Sequence, residues 1–204
     1  MKNLLYLLPF FGMFSFLNAE SPLKELNGIT ISPHANLESA WMMDLNLQGA
    51  NLSSANLKRA NLSQANLKNT LLTKANFEGA NLESANLENT NAKEANFEDS
   101  ILSNANFKNA DLQNANLKGT NLGSANLSGS SLKYARVERA SLKNANLRDA
   151  DLSNATLALS YLVGANFEGA NLKGVNLTSA NLQDAIWTNG KKCLNGSIGY
   201  CKQE

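Results

Sequence analysis

From Leu37 to Trp187 a bulky apolar residue returns at every fifth position, on each number ending in 2 or 7, through 31 pentads without a slip. Leu fills 23 of these centres; the others are Met42, Phe77, Ala92, Phe97, Phe107, Val137, Phe167 and Trp187. Two residues before the centre the chain carries Ala in 23 pentads, otherwise mostly Ser or Thr, and the residue between is Asn in 20. The two positions after the centre vary among Lys, Glu, Ser, Asn, Asp, Gln and Gly. A period of five suits neither an α-helix, near 3.6, nor a strand, near 2.

These behaviours describe a geometry. A position held to Leu or Phe is a buried anchor, because fully burying such a side chain is worth about 1.5–3 kcal/mol. A position held to Ala, Ser or Thr is also inside, but crowded, where a longer side chain overpacks. Positions that drift among polar types face water. Two inward residues in five, followed by a corner, close into a coil when the chain turns at each pentad. Stacked coils then pair their backbones at strand spacing, roughly 4.8 Å per layer, and each layer buries the next.

The tandem A[DN]LXX pattern, as in ANLKRANLSQANLKN (residues 55–69), resembles the pentapeptide-repeat family over about three quarters of the chain. The resemblance implies an all-β, right-handed quadrilateral parallel β-helix with four pentads per coil. Thirty-one pentads then make about 7.75 coils and a rod about 37 Å long. Residues 20 apart stack. Ala92 is the undersized centre, and Phe97 in its coil and Phe107 above it are expected to fill the missing volume.

A β-stack exposes unpaired edges and core at both ends, so both need covering. Residues 20–34 form the expected N-terminal cap, with Ile29 and Ile31 alternating before Pro33 in a strand or lead-in coil. The repeat proper spans 35–189, and 190–204 form a C-terminal cap behind the large Trp187 plug. Cys193 and Cys201 are the only cysteines. In an exported chain the pair reads as a disulfide. Closing that loop contributes about 2.5 kcal/mol in the chain-entropy picture. A metal site needs more ligands, and a redox pair usually has C-x-x-C spacing. The ending also resembles the W-x-x-G-x-x-C…GSxGxC tail of exported bacterial members of the family.

The first 19 residues change the picture of charge and location. Lys2 precedes an apolar stretch from Leu4 to Leu17, and Ala19 offers a small-residue cut site. This is the layout of a secretory signal peptide. The stretch is about 14 residues, short of the roughly 20 needed to span a bilayer, which disfavours an uncleaved anchor. Cleavage after Ala19 is expected, leaving a periplasmic or secreted protein with no membrane span. It also removes one Lys from 18 basic residues and nothing from the 17 acidic ones, so mature net charge is zero. Duplex binding normally needs a basic excess, so no nucleic-acid partner is expected. Mean hydropathy of -0.28 suits a folded, water-soluble domain.

Candidate chemistry is sparse. His34, the single histidine, sits beside Pro33 without a neighbouring nucleophile pattern. Glu78, Glu83, Glu88, Glu94, Glu98 and Asp99 fall on outward positions, whereas a glycosidase pair requires a cleft. No phosphate loop or Cys/His cluster occurs. The expectation is a protein without catalytic residues, cofactor or metal.

Departures from the repeat mark candidate contacts. Residues 75–104 hold six acids and Lys93, a balance of -5; residues 105–148 hold seven bases against Asp111 and Glu138, +5. In KYARVERA and TLALSYLVGA, Arg136 and Tyr161 replace the usual Asn, while Tyr134, Leu159 and Val163 take normally polar outward positions. The 20-residue register sets Tyr161 above Ser141 and Leu159 above Arg139. Leu159, Tyr161 and Val163 are therefore expected to make an apolar spot beside Arg136 and Arg139, a composition favoured at protein contacts. Trp41, Met43 and Ile101 fall on the same side, lower down. The expected function is a protein-interaction module that holds an unidentified envelope protein against a rigid face. The second reading is the gyrase-binding DNA mimic of quinolone-resistance relatives, which the export signal and zero mature charge disfavour. Lack of a terminal dimerising helix favours a monomer.

Overall fold

The computed structural model describes residues 25–203 apart from residue 27. The expected signal peptide at 1–19 and the start of the N-terminal cap lie outside the described residues. From Leu37 onward every pentad makes the same tight turn. The carbonyl of the centre accepts the N–H of the small residue three places on, as from Ala40 to Leu37 at 3.0 Å. The third residue of that turn has positive φ at every position ending in 4 or 9 from His34 to Asp184, with 24 non-glycine residues between 57° and 62°. This is the type II geometry, which demands a left-handed residue at its third place.

Of the two positions after the centre, both expected to vary freely, the second does not. Gly, Asn and Asp, the residues that tolerate the left-handed region, fill 18 of these 31 places.

Between turns each pentad contributes one extended residue, and residues 20 apart bridge in parallel from Asn36↔Asn56 to Asn166↔Ile186. Centre N–H groups donate to the Asn carbonyl 19 residues on, Leu37 to Asn56 at 2.7 Å. Asn N–H groups donate to the small residue's carbonyl 21 residues back, Asn56 to Ala35 at 2.9 Å. Four pentads therefore close one coil, and the rod has four faces. Face A holds the pentads centred on Leu37, Leu57 and so on to Leu177; face B those from Met42 to Leu182; face C those from Leu47 to Trp187; face D those from Leu52 to Leu172.

The Asn position has a local reason. Its side-chain oxygen accepts the backbone N–H two residues on, as Asn56 does from Lys58 at 3.2 Å, a donor the turn would otherwise leave free. On faces A and C the amides also link coil to coil, Asn96 to Asn76 at 3.1 Å and Asn126 to Asn106 at 3.2 Å.

Centres and small residues form one continuous core. Where Thr or Ser replaces Ala inside, its hydroxyl donates to the preceding centre carbonyl at every site but Ser100, as Thr70 to Leu67 at 2.6 Å and Ser160 to Leu157 at 2.6 Å. Phe97 stacks on Phe77 with centroids 4.8 Å apart and meets Phe107 edge-on at 5.9 Å. Phe97 and Phe107 come from opposite faces and meet across the interior beside Ala92, in keeping with compensated packing.

Before the coils, β1 (Glu25–Leu26) and β2 (Ile29–Thr30) pair antiparallel, with Gly28 at φ 77° in the turn. His34, assigned from the sequence to the cap, already pairs with the coils through its N–H to Ser53 at 2.9 Å. After the last coil the chain returns antiparallel over faces B and C, pairing Asn181 with Ile198 and Ile186 with Lys192. Trp187 packs edge-on against Phe167 at 5.9 Å. Cys193 and Cys201 stand at disulfide distance, with Cα atoms 5.1 Å apart. Among the described residues no helix is long and apolar enough to cross a membrane.

Candidate partner-binding face

Three of the six residues singled out in the sequence converge, and three do not. Arg136, Arg139 and Leu159 line a shallow depression of about 290 Å³ on face A, together with Lys118, Glu138 and Ala158. Tyr134 is exposed at the corner that leads into this face, one turn ahead of Arg136. Leu159 is exposed at the corner that leaves it. Tyr161 and half-buried Val163 lie beyond that corner, on face B, because Tyr161 bridges Ser141 and Asn181 there. The apolar spot expected from sequence is thus split across an edge of the rod.

The depression has a residue-level cause. The face A column of Glu38, Lys58, Glu78, Glu98, Lys118 and Glu138 continues with Ala158, whose methyl leaves room that its long neighbours fill elsewhere. The amide ladder of this face, including Asn96 to Asn76 and Asn116 to Asn96 at 2.9 Å, stops where Arg136 takes the Asn position. Lys118, Glu138 and Ala158 were missed in the sequence; their signal was the 20-residue column that sets them one above another.

Charge in the depression is unevenly matched. Lys118 pairs with Glu98 at 3.2 Å, and Arg136 lies 3.8 Å from Glu138. Arg139 is exposed and, among the described residues, makes no ion pair. Among the described residues, the Oε2 atom of Glu138 is buried without a hydrogen-bond partner. Hydrogen bonds from Lys118 and then Asn116 hold the Glu98 carboxyl below its ordinary range, so it stays charged. Tyr134, Arg139 and Leu159 also occupy left-handed turn places, at φ 58°, 58° and 62°. A bulky residue there is strained by roughly 1 kcal/mol relative to residues that tolerate the region.

No group of three or more metal-ligating side chains occurs among the described residues. The arrangement offers cationic and apolar contacts to a partner.

A protein-family model described as "Pentapeptide repeats" matches in eight copies from residue 34 to residue 186. The chain belongs to the pentapeptide repeat family. No curated protein matches it. Among solved structures it is similar to a trypsin-treated point variant of QnrB1, a plasmid-mediated fluoroquinolone resistance protein. Identity is 16%, coverage 82% of this chain and 84% of that one, and TM-score 0.72. It is also similar to HetL, a pentapeptide repeat protein involved in heterocyst differentiation regulation from the cyanobacterium Nostoc sp. strain PCC 7120. There identity is 28%, coverage 78% and 92%, and TM-score 0.39. A pentapeptide repeat protein from the Arabidopsis thaliana thylakoid lumen is 26% identical over 57% of this chain and 79% of that one, with TM-score 0.36. The QnrB1 likeness shows the shared fold, the right-handed quadrilateral β-helix of this family.

Proposed function

We propose that this family member is a non-catalytic interaction module of an exported compartment. In this reading a capped rod of about 7.75 coils presents face A to a protein of the cell envelope. The observation that carries it is the depression lined by Lys118, Arg136, Glu138, Arg139, Ala158 and Leu159. Here a dent meets an exposed guanidinium, that of Arg139, and an exposed Leu. Tyr134 adds an aromatic contact at the entering corner. Arg and aromatic residues are the side chains that most often dominate contact energies. A partner segment bearing a carboxylate beside an apolar side chain suits this face. Export rests on residues 1–19 and on the paired cysteines.

A photoreactive residue placed at Leu159, expressed in the native envelope, tests the reading. We expect a crosslinked adduct that Arg136→Glu with Arg139→Glu abolishes while the fold is kept. Equal capture by a probe at Lys93 on face D, or an adduct indifferent to both reversals, contradicts it.

A further inference from the structure

Face B differs from the other three. Its 24 outward positions carry four charges, Asp44, Glu83, Lys143 and Asp184, where the matching positions of face A carry ten. Among the described residues, eight of the nine ion pairs lie on faces A, C and D; the ninth ties Asp184 to Lys192 of the C-terminal return. Covering such a surface strips little charge of its water, and interface cores are poor in charge for that reason.

Three side chains stand out from it. Trp41, Ile101 and Tyr161 take the Asn position and are 59%, 44% and 45% exposed. The chain of bridges from Trp41 through Asn61, Asn81, Ile101, Asn121 and Ser141 to Tyr161 sets them in one column. Each step is three coils, about 14 Å. Leu71, the comparable residue of face D, stands alone in its column.

From this column we propose that face B is a self-association surface on which a second copy of the chain packs antiparallel. Equal spacing makes the column symmetric about Ile101. A two-fold axis in the interface, crossing the rod at Ile101, reverses the rod and leaves the column facing itself. Trp41 then meets Tyr161 of the second copy, and Ile101 meets its own equivalent. Such isologous pairing closes after two copies.

The charges of face B itself select this direction. A parallel, in-register pair sets Glu83 on Glu83 and Lys143 on Lys143, whereas reversal brings the two unlike charges together. Glu83, one coil below Ile101, comes within one coil, about 5 Å, of the second copy's Lys143. Complementary potentials of this kind choose partner and orientation.

The covered area is modest. A face roughly 37 Å by about 12 Å buries on the order of 900 Å² over both copies, the size class of weak, reversible interfaces. The chain thus departs from the monomer expected when no terminal helix is present, by associating through its side. This inference does not rest on the partner reading of face A.

Sedimentation of the purified protein across about 1 µM to 1 mM, the range of weak complexes, reads the association directly. A monomer–dimer equilibrium is expected. Ile101→Asn, the residue the repeat most often has there, should keep the coil and raise the dissociation constant about tenfold or more. Ile101→Lys, which sets two ammonium groups together, should raise it further. Under mild oxidation Ile101→Cys should crosslink to itself, and Trp41→Cys only to Tyr161→Cys. A monomer at every concentration, a dimer indifferent to both Ile101 changes, or Trp41→Cys crosslinking to itself overturns the proposal.

Discussion

At the residue scale, the pentad is a turn before it is a strand. The type II corner obliges one residue in five to adopt positive φ, and that demand explains positions which polarity alone leaves unexplained. Leu159 sits at such a corner with its side chain exposed. Leu159→Asn should therefore stabilise the protein by about 1 kcal/mol in urea denaturation, by relieving the left-handed strain. The same change should weaken partner crosslinking from a photoreactive residue at Tyr134. A destabilised Leu159→Asn would show that this side chain is held by packing. Leu117→Ala is the contrast. It removes a fully buried centre and should cost about 2–5 kcal/mol. The inward pair, Leu and Ala, was legible because burial restricts residue type at once. The corner was not, since Lys74, Arg59 and Glu94 also tolerate it at a cost and blur the preference for Gly, Asn and Asp.

At the element scale, the two ends show what periodicity leaves out. The sequence indicated a cap at each end and a bond between Cys193 and Cys201. How far a cap reaches was not legible, because its contacts depend on one non-repeating path. The return covers faces B and C and leaves Leu172 of face D and Leu177 of face A half-buried at the rim. Its hold depends on bonds such as Leu182 N–H to Ser197 at 2.8 Å and Cys193 N–H to Ala185 at 2.7 Å. Cys201→Ser should lower stability by up to about 2.5 kcal/mol. It should also speed hydrogen exchange at Leu182 and Cys193 while leaving Leu117 protected. Equal loss of protection along the rod would contradict a local, capping role.

At the scale of the whole molecule, stacking makes the faces long columns, and the surface charges pair along them. Lys192 first, and secondarily Gln183, hold the Asp184 carboxyl below its ordinary value of 3.8. Burial pushes Asp151 up, but the hydroxyl and backbone N–H of Ser153 and the ammonium of Lys133 outweigh it, and its value is lowered too. With Glu98 also lowered from 4.5, these groups contribute stability that is fully present above their ordinary values. It is lost as pH falls through the lower folded values. The urea midpoint should thus stay level down to about pH 5 and decline below about pH 4. The decline should be small, because these groups are part-exposed and screened by solvent, and smaller still in high salt. The column arrangement was legible in the sequence, as a 20-residue register. The split of Tyr161 and Val163 from Arg136 was not, because a flat register does not show where the edge falls.

Every face, column and patch depends on four pentads closing one coil. Spin labels at Ser53→Cys and Ser153→Cys, 100 residues apart on face D, measure that closure directly. Five coils should separate the labelled backbone sites by about 24 Å, with a narrow distribution. A broad distribution, or a mean near or beyond about 40 Å, would contradict the 20-residue coil.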